Sequence, residues 1–200
     1  MRFHHGVSHL AVLGSLLGRP TPVAAQDRAD SVVFAALSRY PTPGISIAVT
    51  QRGRLIKARG YGFANLELRV PATDSTVYQT GSIGKAFTAA LAMTLVQEGK
   101  LRVEDPVAKF FPGAPATWQR VRVGHLLTHT SGLADRIYGL VNIREDYSDA
   151  QLVRKIATAP VEAPPGARWE YSNQGYHLLG YLISKSQGRF YGDLMQERIF

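Results

Sequence analysis

Ser82 and Lys85 are spaced as Ser-x-x-Lys in the stretch Gln79-Thr80-Gly81-Ser82-Ile83-Gly84-Lys85-Ala86-Phe87-Thr88. Three residues apart on a helix, two side chains share a face and reach each other. A serine hydroxyl is a weak nucleophile until a neighbour takes its proton. Lysine does this only as the neutral amine. Burial disfavours the ammonium form, and so does the positive end of a helix. The N-terminus of the same helix offers backbone N–H groups to a developing oxyanion. The spacing points to Ser82 as an activatable nucleophile.

The tetrapeptide alone is weak, since Ser-x-x-Lys arises by chance about once in a chain of this length. Its bland reading is a surface lysine one turn after a capping serine. Context decides against that: Ile83, Phe87, Ala90, Leu91 and Leu95 recur at helical spacing, and Gly99-Lys100 supplies a stop. A phosphate loop is excluded as well. Gln79 stands where its first glycine belongs, and Ala86 follows Lys85 in place of Ser or Thr.

A second group of reactive types lies in Trp169-Glu170-Tyr171-Ser172-Asn173, which follows a proline-rich loop and opens a helix. A phenol such as Tyr171 is a useful general acid or base once a cation lowers its pKa, and Lys85 is a candidate cation. The amide of Asn173 is able to hold a lysine and a substrate carbonyl together. By itself the pattern would be a core tyrosine beside a helix cap. Its pairing with Ser82 and Lys85 favours the chemical reading.

The elements that must position these groups follow from periodicity and breakers. Residues 27–39 read as an amphipathic helix with Val32, Val33, Ala36 and Leu37 on one side, stopped by Pro41 and Pro43. Residues 44–49 alternate as a strand, 51–54 as a turn and 55–60 as a second strand. Gly60-Tyr61-Gly62-Phe63-Ala64-Asn65 lacks the third glycine of a dinucleotide fingerprint and reads as a bend. Short helices are expected over 121–128, from a Ser148 cap to 158, over 173–186 and over 190–200. In the 173–186 helix, Tyr176, Leu179, Leu182 and Ile183 are expected to face inward. Two strands followed by helices indicate an α+β architecture, and a lone hairpin is marginal without partners.

Composition bounds the rest. The chain has 200 residues, no cysteine and a formal charge of +8. This excludes a disulfide framework and a thiolate metal site. Residues 1–25 read as a signal peptide: Arg2, an apolar run over 10–17, and Val23-Ala24-Ala25 before a cleavage at Gln26. The mature chain would then carry 21 basic and 15 acidic residues and be periplasmic or secreted. No later stretch is long enough to span a bilayer. Arg52, Arg54, Lys57 and Arg59 form the densest basic group and read as a solvated strand edge. No aromatic interleaving or motif supports nucleic-acid binding. His125 and His129 have a zinc-compatible spacing, but Leu126 follows His125 and no third ligand is evident. No metal or cofactor is expected.

With these residues in place, the sequence resembles the serine β-lactamase and penicillin-binding-protein superfamily. The nearest branch is that of class C β-lactamases, D-Ala-D-Ala carboxypeptidases and related esterases. The resemblance runs from about residue 42 to 200. It rests on Gly81-Ser82-Ile83-Gly84-Lys85, on Leu126-Leu127-Thr128-His129-Thr130-Ser131-Gly132-Leu133, and on Pro165-Gly166 leading into Tyr171-Ser172-Asn173. It implies a β-lactamase/transpeptidase-like α+β fold, here partial, with a helical subdomain and the first two strands of the antiparallel sheet. It also implies that Ser82 is the acylated nucleophile, Lys85 its activating partner, Tyr171 the proton shuttle and Asn173 a contact to lysine and substrate. Either Lys85 or Tyr171 takes the serine proton. The 129 segment is structural in the family, so buried, hydrogen-bonded imidazoles are expected.

The expected function is a serine hydrolase working through an acyl-enzyme on a β-lactam, a D-Ala peptide or a carboxylic ester. The competing readings are a non-catalytic or slowly deacylating binder of penicillin or peptidoglycan peptides, and an inactive truncated product. The family's third motif, Lys-Thr-Gly or His-x-Gly, does not follow Tyr171. Residues 26–200 are therefore expected to be the N-terminal part of the hydrolase domain, poorly folded and inactive alone.

Overall fold

The computed structural model describes residues 28–135, 137–142 and 144–200. The expected signal peptide lies outside the described residues. The chain divides into two compact units, one ending at Tyr78 and one running from Gln79 to Phe200.

The first unit carries α1 (Arg28–Arg39), β1 (Gly44–Gln51), β2 (Arg54–Asn65) and a short β3 (Val70–Pro71). The strands form one antiparallel sheet in the order β1-β2-β3, with β1 and β2 in register from Gly44↔Gly62 to Gln51↔Arg54. The expected bend over 60–65 is instead a continuation of β2. Gly60 permits it, because a Cβ there would meet the Ala72 backbone at 2.2 Å. The third strand was not foreseen. Two residues give no alternation to read, and its proline sits at a sheet edge, where a missing N–H is tolerated.

The covered face of α1 differs from expectation too. Val32 is 64% exposed, whereas Asp30 and Val33 are buried. The helix is turned by charge: Asp30 accepts from Lys57 Nζ at 2.8 Å, from the Arg59 guanidinium and from the Tyr61 hydroxyl. Residues 57, 59 and 61 share one face of β2 by the strand's period of two. Lys57 is thus drawn into an ion pair and is no solvated edge, while Arg52 and Arg54 stay exposed. Phe34 packs edge-on against Tyr61 at 5.7 Å. Burial, then the Asp30 hydrogen bond, raises the Tyr61 pKa. Asp30 is buried while its cationic partners keep contact with solvent, so losing its charged hydrogen bonds costs about 1–3 kcal/mol. Asp30→Ala is expected to lower stability by that order in urea unfolding, and an unchanged midpoint would contradict the role given to this cluster.

The second unit is helical. A one-turn 3-10 helix, Gly81–Ile83, leads into α2 (Gly84–Gln97). Then come α3 (Val123–Leu127), α4 (Ile137–Leu140), α5 (Asp149–Ala157), α6 (Asn173–Gln187) and α7 (Tyr191–Arg198), with 3-10 turns at Val107–Phe110 and Ala116–Gln119. Leu91, Ala92 and Leu95 of α2 pack with Leu178, Leu179, Leu182 and Ile183 of α6, around Trp118, Leu126, Ile156 and Leu194. The expected α2 stripe is right for Leu91 and Leu95 but not for Ile83, which is 65% exposed, or for Ala90, also exposed. Ile83 belongs to the 3-10 turn, whose three-residue period takes it out of phase with the α-helix. Ser148 caps α5 as expected, with Gln151 closing the box. Gly188 ends α6 in the left-handed conformation.

Candidate active site

Three segments of the second unit build the surroundings of Ser82. The serine stands in the 3-10 turn before α2, and Lys85 one turn on brings Nζ to 3.3 Å from Ser82 Oγ. The spacing read from the sequence therefore yields the contact, although the turn is 3-10 at the serine itself.

Tyr171 comes from the extended residues ahead of α6. Its hydroxyl donates to Ser82 Oγ at 2.7 Å. The segment around His129 fixes its backbone on both sides. The Glu170 N–H donates to the His129 carbonyl at 2.8 Å, and the Ser172 N–H donates to His129 Nδ1 at 3.0 Å. The imidazole also lies against the Tyr171 ring, with centroids 4.6 Å apart. Burial, then the nearby Lys85 charge, holds His129 below the usual histidine pKa. That keeps Nδ1 an acceptor. Gly132, three residues on, has φ +72°, and a Cβ there would meet the Ala163 carbonyl oxygen at 2.0 Å. The His-Thr-Ser-Gly run is thus a clamp that holds the 162–172 segment in place.

Asn173 is the first residue of α6. Its Oδ1 accepts from Lys85 Nζ at 2.8 Å, and its Nδ2 donates to Asp135 Oδ2 at 3.0 Å. Ser172 caps the helix by accepting from the Gly175 N–H at 2.9 Å. The Lys85 ammonium lies 4.9 Å from the Tyr171 ring centre, a cation–π distance. Lys85 beside the phenol, and then the hydrogen bond with Ser82, hold the Tyr171 pKa below its ordinary value. The cause is the one the sequence suggested, a cation beside the phenol.

All four residues singled out from the sequence are brought together. Ser82, Lys85, Thr88, Asn173, Tyr176 and Tyr191 line one open cleft of about 610 Å³. His125 and His129 are each half-buried and each accepts a backbone N–H at Nδ1, from Arg122 in the case of His125. The expectation of hydrogen-bonded imidazoles holds, with less burial than foreseen. Sequence reasoning missed Asp135. No periodicity or motif ties it to Asn173, 38 residues later in the chain.

A family model described as Beta-lactamase matches residues 29–200. Penicillin-binding protein 4 of Amycolatopsis lactamdurans is 34% identical over 172 residues, which cover 84% of this chain and 45% of that protein. Protein flp of Staphylococcus aureus (strain MW2) is 30% identical over 166 residues, covering 80% and 33%. Among solved structures, the octameric penicillin-binding protein homologue from Pyrococcus abyssi aligns with a TM-score of 0.71 at 34% identity, covering 85% of this chain and 41% of that one. The D-amino acid amidase from Ochrobactrum anthropi SV3, complexed with L-phenylalanine amide, aligns with a TM-score of 0.75 at 28% identity, covering 85% and 48%. The α+β fold expected from the motifs is the fold these likenesses return. The chain spans between a third and a half of the length of these proteins.

Proposed function

We propose, from a chain that belongs to the beta-lactamase family, that Ser82 is the nucleophile of a serine hydrolase that acts through an acyl-enzyme. The single observation carrying this reading is the approach of both Tyr171 OH, at 2.7 Å, and Lys85 Nζ, at 3.3 Å, to the same Ser82 Oγ. A serine held between two proton-transfer groups is arranged for attack rather than for packing.

The reaction runs as follows. With Tyr171 as phenolate, its oxygen takes the Ser82 proton while Oγ bonds to the substrate carbonyl carbon. The carbonyl π electrons pass to oxygen, where N–H groups at the start of the helix are suited to receive them. Tyr171 then returns the proton to the leaving nitrogen or oxygen as that bond breaks. Water repeats the sequence on the ester and frees Ser82. The Lys85 cation favours the basic form of Tyr171 by lowering its pKa, and Asn173 holds Lys85. We assign the base role to Tyr171 because its oxygen is the nearer of the two.

The substrate class is a carbonyl with an amide, β-lactam or ester leaving group. Relatives named as penicillin-binding proteins and as a D-amino acid amidase support a β-lactam or amide among these. Export through residues 1–25 is part of the proposal and would bring the site to peptidoglycan peptides.

The test is intact-protein mass over time, on the full-length protein, with a penicillin and separately with a short-chain activated ester. The expected result is an adduct that forms and decays with turnover, is absent in Ser82→Ala, and sits on a chain beginning at Gln26 when secreted. A stable adduct would favour the slowly deacylating binder. No adduct with either probe would overturn the nucleophile assignment.

A further inference from the structure

We propose that Asp135 is a positioning residue: it sets which way the Asn173 amide faces, and through that amide it sets where Lys85 stands. The proposal rests on the reading of Ser82 given above. An asparagine amide has a donor end and an acceptor end of nearly the same shape. Nothing in its own packing distinguishes the two orientations, so its neighbours must. On one side of Asn173 is Lys85 Nζ, 2.8 Å from Oδ1. On the other is Asp135 Oδ2, 3.0 Å from Nδ2. An ammonium only donates and a carboxylate only accepts. One orientation therefore makes two charge-assisted hydrogen bonds, and the flipped one sets donor against donor and acceptor against acceptor.

Asp135 is itself held. Its other oxygen, Oδ1, accepts from the Asn173 backbone N–H at 3.0 Å and from the Gln174 N–H at 3.2 Å. A carboxylate at the first turn of α6 is also favoured by the helix dipole. The two oxygens thus have separate tasks: Oδ1 ties the carboxylate to the helix, and Oδ2 reads the amide. Asp135 follows directly on the segment in which His129 anchors Tyr171. One stretch of chain, 129–135, therefore positions both partners of Ser82: Tyr171 through His129, and Lys85 through Asn173.

The separation of tasks gives a clean variant. Asp135→Asn keeps an oxygen for the two backbone donors and replaces only the oxygen that reads the amide. A helix-capping role alone would leave such a variant active. The positioning role would not, because the new NH₂ opposes the NH₂ of Asn173. In the full-length protein, Asp135→Asn is expected to melt within a few degrees of the parent and to lower the Ser82 acylation rate about 10- to 100-fold. In an Asn173→Ala background the same change is expected to cost less than about 2-fold, since the group through which it acts is gone. Independently of any reaction, the side-chain NH₂ resonance of Asn173, identified by its loss in Asn173→Ala, should shift in Asp135→Asn. An unchanged rate with an unchanged resonance overturns the proposal. So does an equal loss in both backgrounds, which would mean that Asp135 acts on Lys85 directly. If the parent protein shows no acylation, the Ser82 reading fails, while the resonance still decides whether Asp135 orients the amide.

Discussion

Tyr171→Phe is expected to slow acylation of Ser82 about 100- to 10,000-fold, the range lost when a positioned general acid–base is removed. The substitution is clean because the hydroxyl does not hold the tyrosine in place. Its backbone is pinned by the Glu170 and Ser172 N–H groups, both donating to His129, and its ring rests on the imidazole at 4.6 Å. Phenylalanine keeps those contacts. What it loses is the 2.7 Å hydrogen bond to Ser82, and with it the route for the proton in both directions. The rate should be read by rapid quench and mass analysis, and the melting temperature should stay near that of the parent. A variant retaining more than a third of the rate would show that the proton leaves by another path, with Lys85 as the candidate acceptor.

Lys85→Met is expected to be at least as damaging, about 1,000-fold or more, because one side chain serves two ends. Lys85 is the largest influence lowering the Tyr171 pKa, ahead of the Ser82 hydrogen bond, and it occupies the Asn173 oxygen at 2.8 Å. The sign of the pH effect follows. A lowered phenol pKa means that the basic phenolate is populated at a lower pH than in free tyrosine. The acylation rate should therefore rise with pH and level off below the ordinary tyrosine value of about 10. In Lys85→Met the rise should move to higher pH. A midpoint that does not move would contradict the part given to the lysine cation.

The catalytic candidates were legible because their signal is local. Ser82 and Lys85 announce themselves by a helical spacing, and Tyr171 and Asn173 by their place at a helix start. Asp135 was not legible, because it meets Asn173 only after the chain has folded. Lys57 was misread for a related reason. Alternating basic residues look like a solvated edge until a buried carboxylate on α1 draws one of them in. The same carboxylate turned α1, so that Val32 faces outward where hydrophobicity alone would have placed it inward. Short elements such as β3 and the 3-10 turn at Ala116–Gln119 carry too few residues for any period to register.

The most direct measurement is where the acyl group lands. Full-length protein would be trapped with a penicillin or an activated ester, quenched and digested with trypsin, which releases residues 70–85 as one peptide carrying Ser75 and Ser82. Fragmentation of that peptide is expected to place the added mass on Ser82, with the adduct lost in Ser82→Ala and slowed in Tyr171→Phe. An adduct on Ser75 or in another peptide, or one that survives Ser82→Ala, would contradict Ser82 as the nucleophile.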